Sequence, residues 1–207
     1  MLFYQTIDTK TLELLKGLML EEIFKDMYLV GGTSLALQIG HRKSIDIDLF
    51  GKIEADEFEI QSILKRFGSI NHLSKSKNIN IYSINNIKID IVNYPYPLLE
   101  EKIEMDGIRL AGLKDIAAMK LSAIAGRGSK KDFIDLYFLL QKFSLSELFH
   151  LYKLKYKDGS EAIVLKSLTY FDDADNDMMP IMLQKVTWNS VKEKINEELF
   201  RNFREEV

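Results

Sequence analysis

The chain of 207 residues contains no cysteine. That absence excludes a disulfide framework, a thiol nucleophile and a cysteine zinc site, and it is compatible with the cytoplasm. Histidine is scarce as well. His41, His72 and His150 stand far apart without metal-ligand spacing, and each reads as an ordinary surface or core residue. Neither sign of charge dominates: 28 Lys and Arg against 31 Asp and Glu leave a net charge of -3, which argues against a general nucleic-acid coat. No apolar run approaches the roughly 18 residues that a bilayer span requires, and the first residues lack the basic start and apolar stretch of a signal peptide. The expectation is a soluble cytoplasmic protein with no membrane partner.

What is present is a globular composition. With 46% hydrophobic and 29% charged residues, the chain can bury one large core or two smaller ones. Periodicity predicts a helix from about Thr9 to Lys25, a short strand at Met27–Val30, and a helix from Thr33 to Ile39 closed by Gly40. A strand follows over Ser44–Phe50, then a helix near Ala55–Phe67. Ile79–Ile84 and Ile87–Val92 read as two strands joined by the hairpin signal Asn85-Asn86. Tyr94-Pro95-Tyr96-Pro97 interrupts regular structure, and after about Arg109 the pattern is helical, which places a soft domain boundary near residue 105.

Two features in the first half carry chemistry. In Ser44–Phe50, Ile45, Ile47 and Leu49 alternate with Asp46 and Asp48, so both aspartates share one side of a strand. Two unpaired carboxylates about 7 Å apart repel by roughly 2 kcal/mol at an effective dielectric of 20, a cost that a hard divalent cation would turn into coordination. Lys88 and Asp90 alternate with Ile87, Ile89 and Ile91 in the same way, so a third carboxylate converges with the first two if the strands are neighbours. Upstream, Gly31-Gly32-Thr33-Ser34 lies between a strand and a helix, where glycines let a backbone approach an anion and helix-start N–H groups and hydroxyls can donate to phosphate. Each feature has a plain alternative: a solvated strand face for the aspartates, and a tight turn capped by Thr33 or Ser34 for the glycines. The turn is neither a P-loop, since no lysine follows it, nor a dinucleotide fingerprint, since the third glycine is missing.

In the second half, Leu113, Ile116, Ala117, Leu121 and Ile124 form a buried helical stripe that also carries Lys120. A lysine there must either reach past its neighbours to water or meet a partner. After the break Gly126-Arg127-Gly128-Ser129, a helix from Lys130 to Gln141 carries Asp132 and Asp135, with Ser129 and Asp132 at the spacing of a cap and a first-turn acid. Arg127, Lys130 and Lys131 form one candidate RNA-backbone patch, reading equally as solubilising charge, and Lys153, Lys155 and Lys157 with Tyr152 and Tyr156 another, which reads first as the polar face of a helix or strand. Asp173, Asp175 and Asp177 imitate the start of an EF-hand loop, but Met178 and Gln184 stand where glycine and glutamate are needed, so this run is expected to be a solvated loop.

Through Gly31-Gly32-Thr33-Ser34, Arg42-x-Ser44 leading into Asp46-x-Asp48, Lys88-Ile89-Asp90, the block from Leu113 to Leu140 and the tail from Leu168 to Lys192, the chain resembles nucleotidyltransferases of the DNA polymerase beta type. More narrowly, it is similar to the AbiEii toxin family of abortive-infection and toxin–antitoxin systems. The resemblance implies an α+β fold, with a nucleotidyltransferase core of small mixed sheet and helices in residues 1–105. A mainly helical region, 106–207, would complete the cleft. It implies that Asp46, Asp48 and Asp90 are catalytic and hold two magnesium ions when a nucleoside triphosphate is bound. Gly31, Gly32, Thr33 and Ser34 would position the triphosphate, and Arg42 and Ser44 would orient the loop or contact phosphate. Lys120 would neutralise phosphate charge, and Arg127, Asp132 and Asp135 would border the cleft. The implied reaction is transfer of a nucleoside monophosphate to an acceptor hydroxyl, with a tRNA 3′ end as acceptor, growth arrest as outcome and a winged-helix antitoxin as partner. Transfer to a small molecule or a protein, and a nucleotide-binding regulatory module without catalysis, are the alternatives. The intact set of three aspartates weighs against the regulatory module.

Overall fold

The computed structural model describes residues 1–205. The chain divides into two compact units, one formed by residues 1–96 and 101–111 and the other by 97–100 and the chain from Gly112 onward. The boundary placed near residue 105 from the sequence therefore falls inside the first unit.

The first unit contains α1 (Thr9–Leu20), β1 (Met27–Leu29), α2 (Gly31–Ile39), β2 (Ile47–Gly51), α3 (Glu57–Leu64), β3 (Ile70–Lys75), β4 (Ile79–Ile84), β5 (Ile87–Asn93), β6 (Ile103–Met105) and β7 (Ile108–Leu110). Its strands form one mixed sheet in the order β3-β4-β5-β2-β1-β7-β6. β2 runs antiparallel to β1 and parallel to β5. One side of the sheet is sealed by Ile47, Leu49, Tyr82, Ile84, Ile89 and Ile91, which pack with Leu15 and Leu18 of α1 and with Phe24 in a single core.

α1 begins where Asp8 accepts the N–H of Thr11 at 2.9 Å and so caps the helix. It ends at Leu20 rather than Lys25, and Glu22–Phe24 forms a separate 3-10 turn. Arg109 accounts for the break: its guanidinium donates to the carbonyls of Met19, Phe24 and Met27 at 3.0, 2.9 and 2.9 Å, a set of acceptors that a continuous helix would not present. β2 also starts later than predicted. Ile45 is 59% exposed, so Ser44-Ile45-Asp46 is a lead-in, not the first half of the strand.

Asn85 and Asn86 take positive φ values of 50° and 69°, the turn their sequence signals. Asp106 and Gly107, at 53° and 77°, make a similar turn between β6 and β7. That hairpin was not anticipated, although Asp-Gly is a hairpin signal, because strands of three residues are too short to display alternation. β3 was missed as well: it is an edge strand, largely exposed, with no buried face to impose a pattern.

The second unit contains α4 (Leu113–Gly126), α5 (Lys130–Leu139), α6 (Leu145–Lys155), α7 (Glu161–Leu168), α8 (Asp172–Asp175) and α9 (Trp188–Glu205). The expected stripe of α4 is buried at Ile116, Ala117, Leu121 and Ile124. Lys155 is not part of an exposed basic face. Its side chain is fully buried, its ammonium lies 2.6 Å from Asp115 and donates to the carbonyl of Pro97 at 2.8 Å. Asp115 also accepts the N–H groups of Leu99 and Glu100, which ties 97–100 to the helical unit. Nor is the acidic run simply a solvated loop. Asp177 accepts the N–H of Lys130 at 2.9 Å and so serves the start of α5, while Asp175 accepts from the Trp188 indole and from Lys192. Lys130, buried, donates to the carbonyls of Asp175 and Asp177 and is thereby removed from the candidate surface patch. Among the described residues, no helix is long and apolar enough to cross a membrane.

Removing the lysine of the Asp115–Lys155 pair strands a buried carboxylate, which costs about 3–5 kcal/mol. Lys155→Met is expected to lower stability by about that amount in chemical unfolding, while Lys153→Met on the exposed side of α6 changes it by less than about 0.5 kcal/mol. Equal effects of the two substitutions would show that the buried pair carries no special share of the stability.

Candidate active site

The parallel pairing of β2 with β5 sets Asp48 directly beside Asp90, with Ile47 beside Ile89 and Leu49 beside Ile91. Those four aliphatic residues are fully buried, so the alternation leaves Asp48 and Asp90 on the opposite side of the sheet. Asp46 precedes β2 by one residue and is half-buried like Asp48, with buried Ile47 between them. Its backbone is held in place by Thr33, whose hydroxyl donates to the Asp46 carbonyl and is hydrogen-bonded to the Ser44 hydroxyl at 2.9 Å. Asp48 is thus set beside Asp90, and Asp46 lies two residues before Asp48 in the lead-in to β2.

The side chains refine that picture. The ammonium of Lys88 stands 2.6 and 2.7 Å from the two oxygens of Asp90, donating to Oδ2. The other oxygen, Oδ1, is buried and is in ion-pair contact with the same ammonium. Also among the described residues, no group of three His, Cys, Asp or Glu side chains is drawn together as a ready metal site. The fit to a hard cation lies instead in the donor chemistry: carboxylate oxygens on registered strands, with the Lys88 ammonium as counter-charge to Asp90.

The paired glycines lie within α2, which starts at Gly31, two residues earlier than predicted. Gly31 has φ of +70°, and a Cβ there would stand 2.2 Å from Asp48 Oδ2. A Cβ on Gly32 would stand 2.2 Å from Arg42 Nη2 and 3.4 Å from Ser44 Oγ. Both glycines are needed so that a carboxylate and a guanidinium can press against the opening turn of the helix. Arg42 is buried and donates to the Lys43 carbonyl at 2.9 Å.

Thr33 and Ser34 do not cap α2; the cap position is Val30, and no side chain caps it among the described residues. Both hydroxyl residues are buried. Thr33 is engaged as described above, and Ser34 Oγ accepts from Gln38 Nε2 at 3.1 Å. What α2 offers to an anion is therefore its backbone: the first N–H groups of a helix have no acceptor within it. His41 is a buried core residue beside this turn in sequence.

In the helical unit, Lys120 does not snorkel to water. Its buried ammonium lies 3.1 Å from Asp132 Oδ1 and 2.6 Å from Asp135 Oδ2. Asp132, fully buried, also accepts from Arg127 Nε at 2.8 Å, Arg127 Nη2 at 3.0 Å and Ser129 Oγ at 2.7 Å. Burial alone would push the Asp132 carboxyl up, but the charge of Lys120 and the Arg127 and Ser129 bonds override it and hold the group well below the usual carboxylate range. Lys120, Arg127, Asp132 and Asp135 thus form one cluster within this unit, as Gly31, Gly32, Arg42, Ser44, Asp46, Asp48 and Asp90 do within the other.

Two outcomes follow from these contacts. Gly31→Ala places a methyl group on Asp48 and a non-glycine residue at positive φ, so it is expected to lose nucleotide binding as measured by thermal shift; retention of parent-like binding would show that Asp48 can move away freely. Because the Asp132 carboxyl is depressed in the folded state, its contribution to stability is present above its unfolded pKa of about 4 and is lost as pH falls further. Asp132→Asn should lower the melting temperature at neutral pH and flatten its fall between about pH 4 and pH 2. A parallel fall in both proteins would remove Asp132 from the acid response.

The family model described as nucleotidyl transferase AbiEii toxin, type IV TA system, matches residues 13–205. An uncharacterised protein of Aquifex aeolicus is 46% identical over 158 residues, covering 73% of this chain and 77% of that one. In fold the chain is similar to MenT4, a nucleotidyltransferase toxin of Mycobacterium tuberculosis H37Rv, with a TM-score of 0.59 at 12% identity over 92% of this chain and 81% of that one. It is also similar to the antibiotic-resistance factor ANT(2'')-Ia, with a TM-score of 0.55 at 15% identity over 70% and 89% of the two chains. At such identities these two likenesses concern the fold, and they agree with the α+β nucleotidyltransferase architecture expected from the sequence. The chain belongs to the AbiEii nucleotidyltransferase toxin family of type IV toxin–antitoxin systems.

Proposed function

We propose that this nucleotidyltransferase moves a nucleoside monophosphate from a nucleoside triphosphate to the 3′ end of tRNA, with magnesium, as a toxin restrained by a winged-helix antitoxin. The observation that carries the reading is the register of Asp48 with Asp90 on adjacent parallel strands, with Asp46 two residues upstream and the glycine-opened start of α2 against Asp48. Nucleotides and tRNA are cytoplasmic, so the reaction belongs to that compartment.

In this reading the backbone N–H groups at Gly31, Gly32 and Thr33 bind oxygens of the triphosphate, and Arg42 and Ser44 hold the turn in shape or contact phosphate. The acceptor hydroxyl oxygen attacks the α phosphorus, the bond from that phosphorus to the bridging α–β oxygen breaks, and pyrophosphate leaves; the hydroxyl proton passes to solvent. Asp46, Asp48 and Asp90 would hold two magnesium ions, whose charge offsets that of the entering and leaving oxygens. Asp90 serves the side of the attacking hydroxyl, and Lys88 is its counter-charge when no cation is bound. Lys120, which the family resemblance assigned to the phosphates, is held with Arg127 by Asp132 and Asp135 in an ion-pair cluster of the helical unit. A small-molecule acceptor is the second reading, by analogy with ANT(2'')-Ia, which has been solved in complex with adenylyl-2''-tobramycin.

The test is transfer of label from each α-labelled nucleoside triphosphate to total tRNA. Label on tRNA is expected from the parent with magnesium, with at least about a 100-fold lower rate for Asp46→Ala plus Asp48→Ala and none with a chelator. Label on an aminoglycoside but not on tRNA would favour the second reading. Equal labelling by parent and double variant would remove the aspartates from the chemistry.

A further inference from the structure

The sheet face that carries the aspartates continues past them. Phe50 lies two residues beyond Asp48 on β2, on the alternation that faces away from buried Ile47 and Leu49; beside it on β5 is buried Val92, two beyond Asp90, and Tyr94 follows one residue past the end of that strand. The N–H of Tyr94 donates to the Gly51 carbonyl at 2.9 Å, so the pairing of the two strands reaches that residue. The rings of Phe50 and Tyr94 have centroids 5.0 Å apart, and those of Tyr94 and Tyr96 are 4.9 Å apart, tilted by 55° and 54°. The row ends in water, with Tyr96 44% exposed. At its other end Tyr28 pairs with Phe50 across β1 and β2, and the ammonium of Lys102 lies 5.7 Å from the Tyr28 ring centroid.

The main core of this unit is on the other face of the sheet, so it does not call for this run of aromatics. A ring row that is half open to solvent, with a cation beside it, has the two contacts that single-stranded nucleic acid uses: a flat partner for a base and a positive charge for its phosphate. Its position decides which base. The N–H of Val30 donates to the Asp48 carbonyl at 2.9 Å and α2 starts at Gly31, so the phosphate-binding turn meets β2 at Asp48, on the side toward Asp46. The rings begin at Phe50, on the opposite side of Asp48 along the strand. In-line displacement sets the leaving pyrophosphate and the attacking oxygen on opposite sides of the phosphorus, so a triphosphate seated on the turn leaves the ring side to the acceptor.

We propose that Phe50, Tyr94 and Tyr96 form a stacking platform for the terminal nucleobase of a single-stranded RNA acceptor, holding its 3′ end toward Asp90 and Asp48. The platform rests on the nucleotidyl-transfer reading above and adds to it the means by which the acceptor is held. Stacking reads no particular base, so the platform tolerates any terminal nucleotide and discriminates instead against paired ends.

Binding of a fluorescently labelled single-stranded oligoribonucleotide with a free 3′ hydroxyl, followed by anisotropy, tests this with the full chain. Tyr96 is exposed, so Tyr96→Ala is expected to keep the parent melting temperature. It should weaken oligoribonucleotide binding by about tenfold, Tyr96→Phe should restore it, and thermal shift by each nucleoside triphosphate should be the same in all three proteins. Parent-like binding by Tyr96→Ala, or no binding by the parent, overturns the platform. Loss of triphosphate binding in Tyr96→Ala also overturns it, because the rings would then hold the base of the incoming nucleotide. Labelling of an acceptor by the parent reports separately on the reaction: transfer without Tyr96-dependent oligoribonucleotide binding removes only the platform, and Tyr96-dependent binding without transfer to any acceptor removes only the reaction.

Discussion

The parallel pairing of β2 with β5 is the constraint on which the candidate site depends. Ile47, Leu49, Ile89 and Ile91 must all face the core, and a slip of one residue in either strand would drive aspartates into it. Burial of the aliphatic side therefore sets Asp48 beside Asp90 without any contribution from the carboxylates, which repel one another. Hydrophobic burial holds like charges together, and the mismatch is relieved locally by Lys88, whose ammonium sits on Asp90.

The opening of α2 is shaped by the same need. Glycine at 31 and 32 is a matter of space: the Asp48 carboxylate and the Arg42 guanidinium occupy the volume that side chains there would fill. The helical unit handles charge differently. Lys120 with Asp132 and Asp135, and Lys155 with Asp115, are buried pairs whose lone pairs and protons are further satisfied by Arg127, Ser129 and backbone groups. Such pairs add less net stability than their short distances suggest, because desolvation offsets most of the attraction, but each makes the loss of one partner costly. They also pin helix to helix, α4 to α5 through Lys120 and α4 to α6 through Lys155.

Much of this was legible in the sequence. The alternation around Asp48 and Asp90, the Asn85-Asn86 turn, Gly40 as the close of α2 and the stripe of α4 all report local rules that the fold obeys. Three kinds of feature were not legible. Short or edge strands such as β3, β6 and β7 lack the length or the buried face that makes a pattern. The end of α1 is decided by Arg109, which is distant in sequence. Lys130 and Lys155 read as surface cations because nothing in their own segments announces the acceptors, Asp175, Asp177 and Asp115, that take them inside.

By itself, the sequence determined the local pattern: Asp48 and Asp90 on strands of period two with Asp46 leading into the first, a pair of glycines at a strand-to-helix junction, and a lysine on a buried helical stripe. Periodicity is a local property, so one strand suffices to place its own side chains on one face or the other. Tertiary structure alone decided that β2 and β5 are neighbours in parallel register, that Thr33 and Ser34 spend their hydroxyls inside the protein, and that Phe50, Tyr94 and Tyr96 meet as a row. Those outcomes depend on pairing between segments remote in sequence, where register is chosen by the summed burial of both strands and cannot be read from either one.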